Sequence, residues 1–124
     1  LFCSNIIISR DKKSVTIIDF EEAAYYYRVF DIGMAIIGLC SERKILNKEK
    51  VKSFLLGYAK VIKLTPNEEK ALQAFTVYAG AAMTFWRHRN FNYVYPNMGL
   101  NNHYKALQAL ADYAKTQSSL FFKC

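Results

Sequence analysis

Long apolar runs, structure-breaking residues and clustered cysteines are all scarce in this sequence, and each scarcity excludes something. No uninterrupted apolar stretch reaches the ~18–20 residues that a membrane-spanning helix needs. The longest, residues 32–40, has the length of a buried helix, so no membrane association is expected. Five Gly and two Pro, against 52% hydrophobic and 15% aromatic residues, exclude disorder as the main state and supply enough apolar material for a core. The three cysteines, Cys3, Cys40 and Cys124, are too scattered for a disulfide framework or a zinc site, which suits a reduced, cytoplasmic protein. The sequence opens at Leu1 with neither Met nor a basic segment, so no signal peptide is read and further sequence is expected upstream. Its 124 residues amount to one domain, 1–124.

Acids are the minority: ten against 17 Lys and Arg, a net charge of +7. The imbalance is local. Residues 41–63 carry seven Lys or Arg and two Glu, whereas residues 19–31 carry four acids (Asp19, Glu21, Glu22 and Asp31) and a single Arg, Arg28. The basic stretch alternates with core-type residues and accompanies no nucleic-acid-binding motif. It reads as the solvated face of a helix, and no nucleic-acid partner is expected.

Hydrophobic periodicity divides the chain into a small β unit followed by helices. The β-branched runs at residues 6–9 and 15–18, joined by the polar stretch 10–14, predict a hairpin, which must lie on a helical layer to be stable. From Asp31 the period changes. Ile32, Ala35, Ile36 and Leu39 form a helical stripe with Asp31 available to cap the first turn, and the further apolar residues Met34 and Ile37 make this the central, nearly all-buried helix. Val51, Phe54, Leu55, Tyr58, Val61 and Ile62 form an amphipathic stripe behind the cap candidate Asn47. Thr65, Pro66, Asn67 and Glu68 spell a capping box that opens a long helix with Ala71, Leu72, Phe75, Tyr78, Ala79, Ala82, Met83 and Trp86 inward. A loop at 95–99 precedes a last helix starting near Asn101 or Asn102, with Tyr104, Leu107, Leu110, Ala111 and Ala114 inward; residues 117–124 show no clear period.

Chemistry is concentrated at the open end of the hairpin. Asn5 precedes its first strand and Asp19 closes its second, and in an antiparallel pair these ends lie side by side. A carboxylate with a carboxamide oxygen suits Mg²⁺, which takes one or two protein ligands and completes its shell with water and phosphate. On spacing alone, two unrelated turn or cap residues are the alternative. Near the end of the long helix, Arg87 suits a substrate carboxylate or a buried structural acid. His88 and His103, far from any nucleophile or third metal ligand, read as structural or surface residues.

The wording around Asn5 and Asp19 goes further. Leu1, Phe2, Cys3, Ser4 and Asn5, and then Val15, Thr16, Ile17, Ile18, Asp19, Phe20 and Glu21, resemble two segments of the aminoglycoside phosphotransferase and choline kinase-like superfamily: the end of its catalytic loop and its metal-binding segment. The family's loop reads His-Gly-Asp-Leu-x-x-x-Asn, and residues 1–5 match its last five positions. Tyr27, Arg28, Val29, Phe30, Asp31, Ile32 and Gly33 resemble the Asp-Ile/Leu-Gly/Ala helix start that follows. Glu21 replaces the Gly of the usual Asp-Phe-Gly, as in several choline and homoserine kinase-like members. Leu55, Leu56, Gly57 and Tyr58, then Leu64, Thr65, Pro66 and Glu68, and finally Phe85, Trp86, Arg87, Phe91 and Asn92 resemble bacterial-type homoserine kinases and their hydroxylysine-kinase-like relatives.

This resemblance implies an α+β fold: the mainly helical C-terminal lobe of a protein-kinase-like fold with one small β-hairpin at its N-terminus. It implies the C-terminal portion of an ATP- and Mg²⁺-dependent kinase that phosphorylates the hydroxyl of a small molecule, most like homoserine kinase. Asn5 and Asp19 are then the metal and cofactor ligands, Asp31 supports the catalytic loop, and the catalytic Asp stands just before Leu1. The amino-terminal lobe and its ATP-anchoring Lys are partners this chain lacks, so the chain alone is expected to be inactive. Glu21, Glu22 and Tyr25, with Tyr26 and Tyr27, suit a substrate ammonium, the tyrosines alternatively packing on the buried helix; Trp86 and Arg87 complete the substrate candidates. A choline or ethanolamine kinase-like enzyme is the nearest alternative, and a non-catalytic helical interaction module is the alternative from another class.

Overall fold

A computed structural model describes residues 1–123; Cys124 lies outside them. The fold is α+β and mainly helical. A turn at Cys3–Asn5 leads into β1 (Ile6–Ile8), which pairs antiparallel with β2 (Val15–Ile17) in the register Ile6 to Ile17 and Ile8 to Val15. Four helices follow: α1 (Arg28–Leu39), α2 (Lys48–Ala59), α3 (Pro66–Arg89) and α4 (Tyr104–Thr116). Between α1 and α2 a second hairpin joins β3 (Ser41–Glu42) to β4 (Ile45–Leu46).

The spine is α3, which packs along both α1 and α4, so the central position expected for α1 belongs to α3. Close crossings explain which residues it buries. A Cβ on Gly33 of α1 would come within 2.8 Å of the Phe75 carbonyl oxygen, and one on Gly80 within 2.9 Å of Ala111 Cβ. Small residues therefore line the contacts: Thr76, Ala79 and Gly80 are buried beside the larger Leu72, while Tyr78 and Trp86, expected inward, lie on the exposed flank. The buried Thr76 hydroxyl is satisfied by donating to the Leu72 carbonyl at 2.8 Å.

Helix α1 buries Val29, Ile32, Ala35, Ile36 and Ile37 in a core shared with Leu46, Val51, Leu55, Leu72, Leu107, Leu110 and Ala114. Two of the three expected caps are made. Asn47 accepts the Lys50 N–H at 3.0 Å, and Thr65 and Glu68 form the reciprocal box with Pro66 in the first turn. Because α2 ends at Ala59, Val61 and Ile62 fall beyond its apolar stripe and are exposed. Within the tail, a turn at Ser119–Phe122 buries Phe121 and Phe122.

One expectation fails in the β unit. The first hairpin does not rest on a helical layer: Ile7, Ile8, Val15, Ile17 and Ile18 are exposed, and its anchorage comes from the turn at its base. Strands of three residues offer too little surface to hold both faces down. No described helix is long and apolar enough to cross a membrane.

Candidate functional site

The hairpin base brings Asn5 and Asp19 together. The Ile18 N–H donates to the Asn5 carbonyl at 3.0 Å, carrying the ladder one step past the strands and setting residue 19 beside the turn. Asn5 Nδ2 then donates to Asp19 Oδ2 at 2.8 Å, while Asn5 Oδ1 accepts the Phe2 N–H at 3.1 Å. One carboxamide thus holds the loop start on one side and the acid on the other. Asp19 has φ 69°, in the left-handed region that costs most residues energy but that Asp tolerates better than most. Such strain concentrates where a side chain must point in one direction.

Among the described residues no group of three or more His, Cys, Asp or Glu could hold a metal. The Asp19 carboxylate is a hard oxygen donor of the kind Mg²⁺ takes, whereas Asn5 turns its NH₂ toward Asp19 and its oxygen toward the Phe2 N–H, so a cation shared by the two side chains would require the amide to turn over.

Helix α1 presses against the same loop. A Cβ on Gly38 would lie 2.2 Å from the Leu1 carbonyl oxygen and 3.0 Å from Phe2 Cα, so only Gly lets helix and loop approach this closely. The Cys3 thiol also leans on Gly38, donating to its carbonyl at 3.6 Å. Asp31 does not cap the helix, as α1 begins three residues earlier, behind Tyr27. It is an exposed acid in the first turn of α1.

The substrate candidates separate. Glu21, Glu22 and Tyr25 are exposed beyond Phe20, with Tyr25 fully open to solvent. Tyr26 and Tyr27 instead join an aromatic cluster, Tyr26 edge-on to Phe30 at 5.3 Å and Tyr27 tilted on Phe75 at 5.9 Å. Trp86 is half-exposed and meets Phe91 at 6.2 Å.

Arg87 is half-buried with its guanidinium 5.6 Å from the centre of the Phe2 ring. Burial lowers its pKa, and the described residues include no buried acid paired with it. His88 packs edge-on against Tyr104 at 4.7 Å and His103 against Phe91 at 6.5 Å, both in structural roles.

Three features of the site carried no sequence signal: the Phe2 N–H that fixes Asn5, the Gly38 contact, and the Arg87–Phe2 stack. Each joins positions far apart in the chain or depends on a backbone group. Two pockets lie elsewhere among the described residues. One of about 330 Å³ lies between α2, the start of α3 and the tail, and one of about 390 Å³ beside Cys40 and the start of α2. The hairpin base is an open surface.

No family model matches the chain, and neither does any curated protein or solved structure.

Proposed function

We propose that this chain is the C-terminal part of an ATP- and Mg²⁺-dependent kinase that phosphorylates the hydroxyl of a small molecule, most like homoserine kinase. The observation that carries the reading is the 2.8 Å contact between Asn5 and a left-handed Asp19 at the base of the hairpin. In this reading Asp19 and Asn5 hold the metal. Bound Mg²⁺ supplies charge neutralisation on the nucleotide phosphates, the main requirement of phosphoryl transfer. Asn5 keeps the loop start at a fixed distance from Asp19, and Gly38 seats that loop on α1. The Asp that faces the acceptor hydroxyl belongs to the sequence before Leu1, within a His-Gly-Asp triplet.

Two further observations bear on the reading. The exposed apolar surface of β1, β2 and Phe20 suits an amino-terminal lobe closing over the hairpin. Tyr26 and Tyr27 keep more than half of their surface exposed beside the acidic pair Glu21 and Glu22, which suits an acceptor carrying an ammonium, as the amino acids and choline alike do. A cytoplasmic location, with no nucleic-acid or membrane partner, belongs to the same proposal.

The test is phosphoryl transfer by the protein joined to its upstream sequence, with homoserine, hydroxylysine, choline and ethanolamine as acceptors. One of the two hydroxy amino acids is expected to be phosphorylated, and Asp19→Ala to reduce turnover by roughly 10³-fold or more. The chain alone is expected to show negligible turnover. If the folded, extended protein phosphorylates none of the four, the substrate reading is wrong; an upstream sequence without the His-Gly-Asp triplet favours the helical interaction module.

A further inference from the structure

The cavity of about 330 Å³ between α2, the start of α3 and the tail lies within the roughly 300–1,000 Å³ that small-molecule sites occupy. Its deep wall is apolar. Leu55, Leu72 and Phe122 line it and are almost fully buried, and the half-buried Leu64 adds a further apolar side. None of these side chains can hydrogen-bond water, so solvent against them lacks partners and an apolar group that displaces it is favoured.

Two sets of hydrogen bonds hold the walls apart. On one side Arg28, paired with Glu68 of α3, donates from Nη2 to the Lys63 carbonyl at 3.3 Å and so fixes the segment that follows α2. On the other, Gln73 Nε2 donates to the Ala114 and Gln117 carbonyls at 3.1 and 2.5 Å, which fastens the end of α4 to α3 just before the turn that carries Phe122. The mouth is charged: Lys63, Lys123 and Glu69 line the cavity and are exposed. Among the described residues none of the three forms an ion pair, in contrast to Arg28 with Glu68 and Lys50 with Glu42. Two ammonium groups against one carboxylate leave this rim positive.

We infer that the cavity binds a free monocarboxylate with an apolar chain, the chain lying on Leu55, Leu72 and Phe122 and the carboxylate facing the ammonium groups of Lys63 and Lys123. Each half of the ligand answers one half of the site. A short carboxylate leaves the deep wall uncovered, an uncharged chain forgoes the two cations, and an amine meets two like charges with only Glu69 in its favour. None of these residues belongs to the hairpin base, so the outcome is independent of phosphoryl transfer.

Titration of the chain with octanoate, followed by NMR of the Leu methyl and Phe ring signals, tests this. The signals of Leu55, Leu64, Leu72 and Phe122 are expected to move first, at concentrations at least about tenfold below those needed with butanoate, since each added methylene buries more apolar surface. Octanol and octylamine, which share the chain, should both bind more weakly than octanoate. Lys63→Ala combined with Lys123→Ala should weaken octanoate binding by about fivefold. Glu69→Gln, which removes the like charge, should strengthen it, and Ala59→Phe, which places a ring in the cavity, should abolish it. Shifts that begin at the exposed apolar residues of β1 and β2, an equal response to butanoate, or octylamine binding as tightly as octanoate would overturn the inference. So would octanoate binding unchanged in the lysine double variant or in a folded Ala59→Phe, or no response at all. The lysine and Glu69 changes lie on the surface and supply the reading if Ala59→Phe does not fold.

Discussion

Asp19 shows how much of the site a single residue carries. Its φ of 69° and its 2.8 Å bond from Asn5 both tolerate an amide, because Asn adopts the left-handed region as readily as Asp. Asp19→Asn is therefore expected to melt within about 2 °C of the wild type, whereas β-branched Asp19→Val should lose about 1–2 kcal/mol through backbone strain. Thermal melts of the two variants check this. Equal destabilisation by both would make the carboxylate a structural group. The meeting of Asn5 and Asp19 was legible in the sequence because antiparallel pairing forces the open ends together. The left-handed backbone was not, because nothing in the residue type distinguishes a strained Asp from a relaxed one.

Among the elements, the starts of α2 and α3 are legible in the sequence, whereas α1 begins three residues before Asp31 and α4 begins at Tyr104, past Asn101 and Asn102. Asn47 and the Thr65 box announced α2 and α3 through side chains that bond only their own helix. The start of α1 was misplaced at Asp31 because Arg28 binds across the fold: its partner Glu68 is forty residues away and also serves the Thr65 cap. The β3–β4 turn was missed as well. Arg43 and Lys44 both take positive φ, 47° and 70°, without the Gly or Asn that usually marks such a turn.

The Arg28–Glu68 link makes a pH prediction. Hydrogen bonds from Arg28 and then from Thr65 hold the Glu68 carboxyl down at about 2, below its ordinary 4.5. A depressed carboxylate stabilises the folded state fully above its unfolded pKa and loses that contribution as pH falls through its folded value. Thermal stability of the wild type should accordingly decline between pH 4.5 and about 2, and Glu68→Gln should start lower and decline less across that window. Identical pH profiles for the two proteins would show that the pair contributes nothing.

At the scale of the whole molecule, the unexpected contribution comes from the tail. Phe121 and Phe122 lie beyond the end of α4 and continue no helical stripe; in the turn at Ser119–Phe122 both are buried, Phe121 meeting Tyr113 at 6.2 Å. Phe122→Ala is expected to cost about 3 kcal/mol, read from denaturant unfolding; a loss under about 1 kcal/mol would mean the tail only rests on the surface. The α+β, helix-dominated class was legible from periodicity, while the order of helices around α3 was not, since it depends on close crossings at Gly33 and Gly80. What binds the parts into one account is the proposed cation position at the hairpin base. Mn²⁺, a paramagnetic substitute for Mg²⁺, tests it most directly when titrated into the isotope-labelled chain. The account predicts that the signals of Asn5 and Asp19 broaden before all others and that Asp19→Asn abolishes the effect. Broadening that begins elsewhere, or that survives Asp19→Asn, would contradict it.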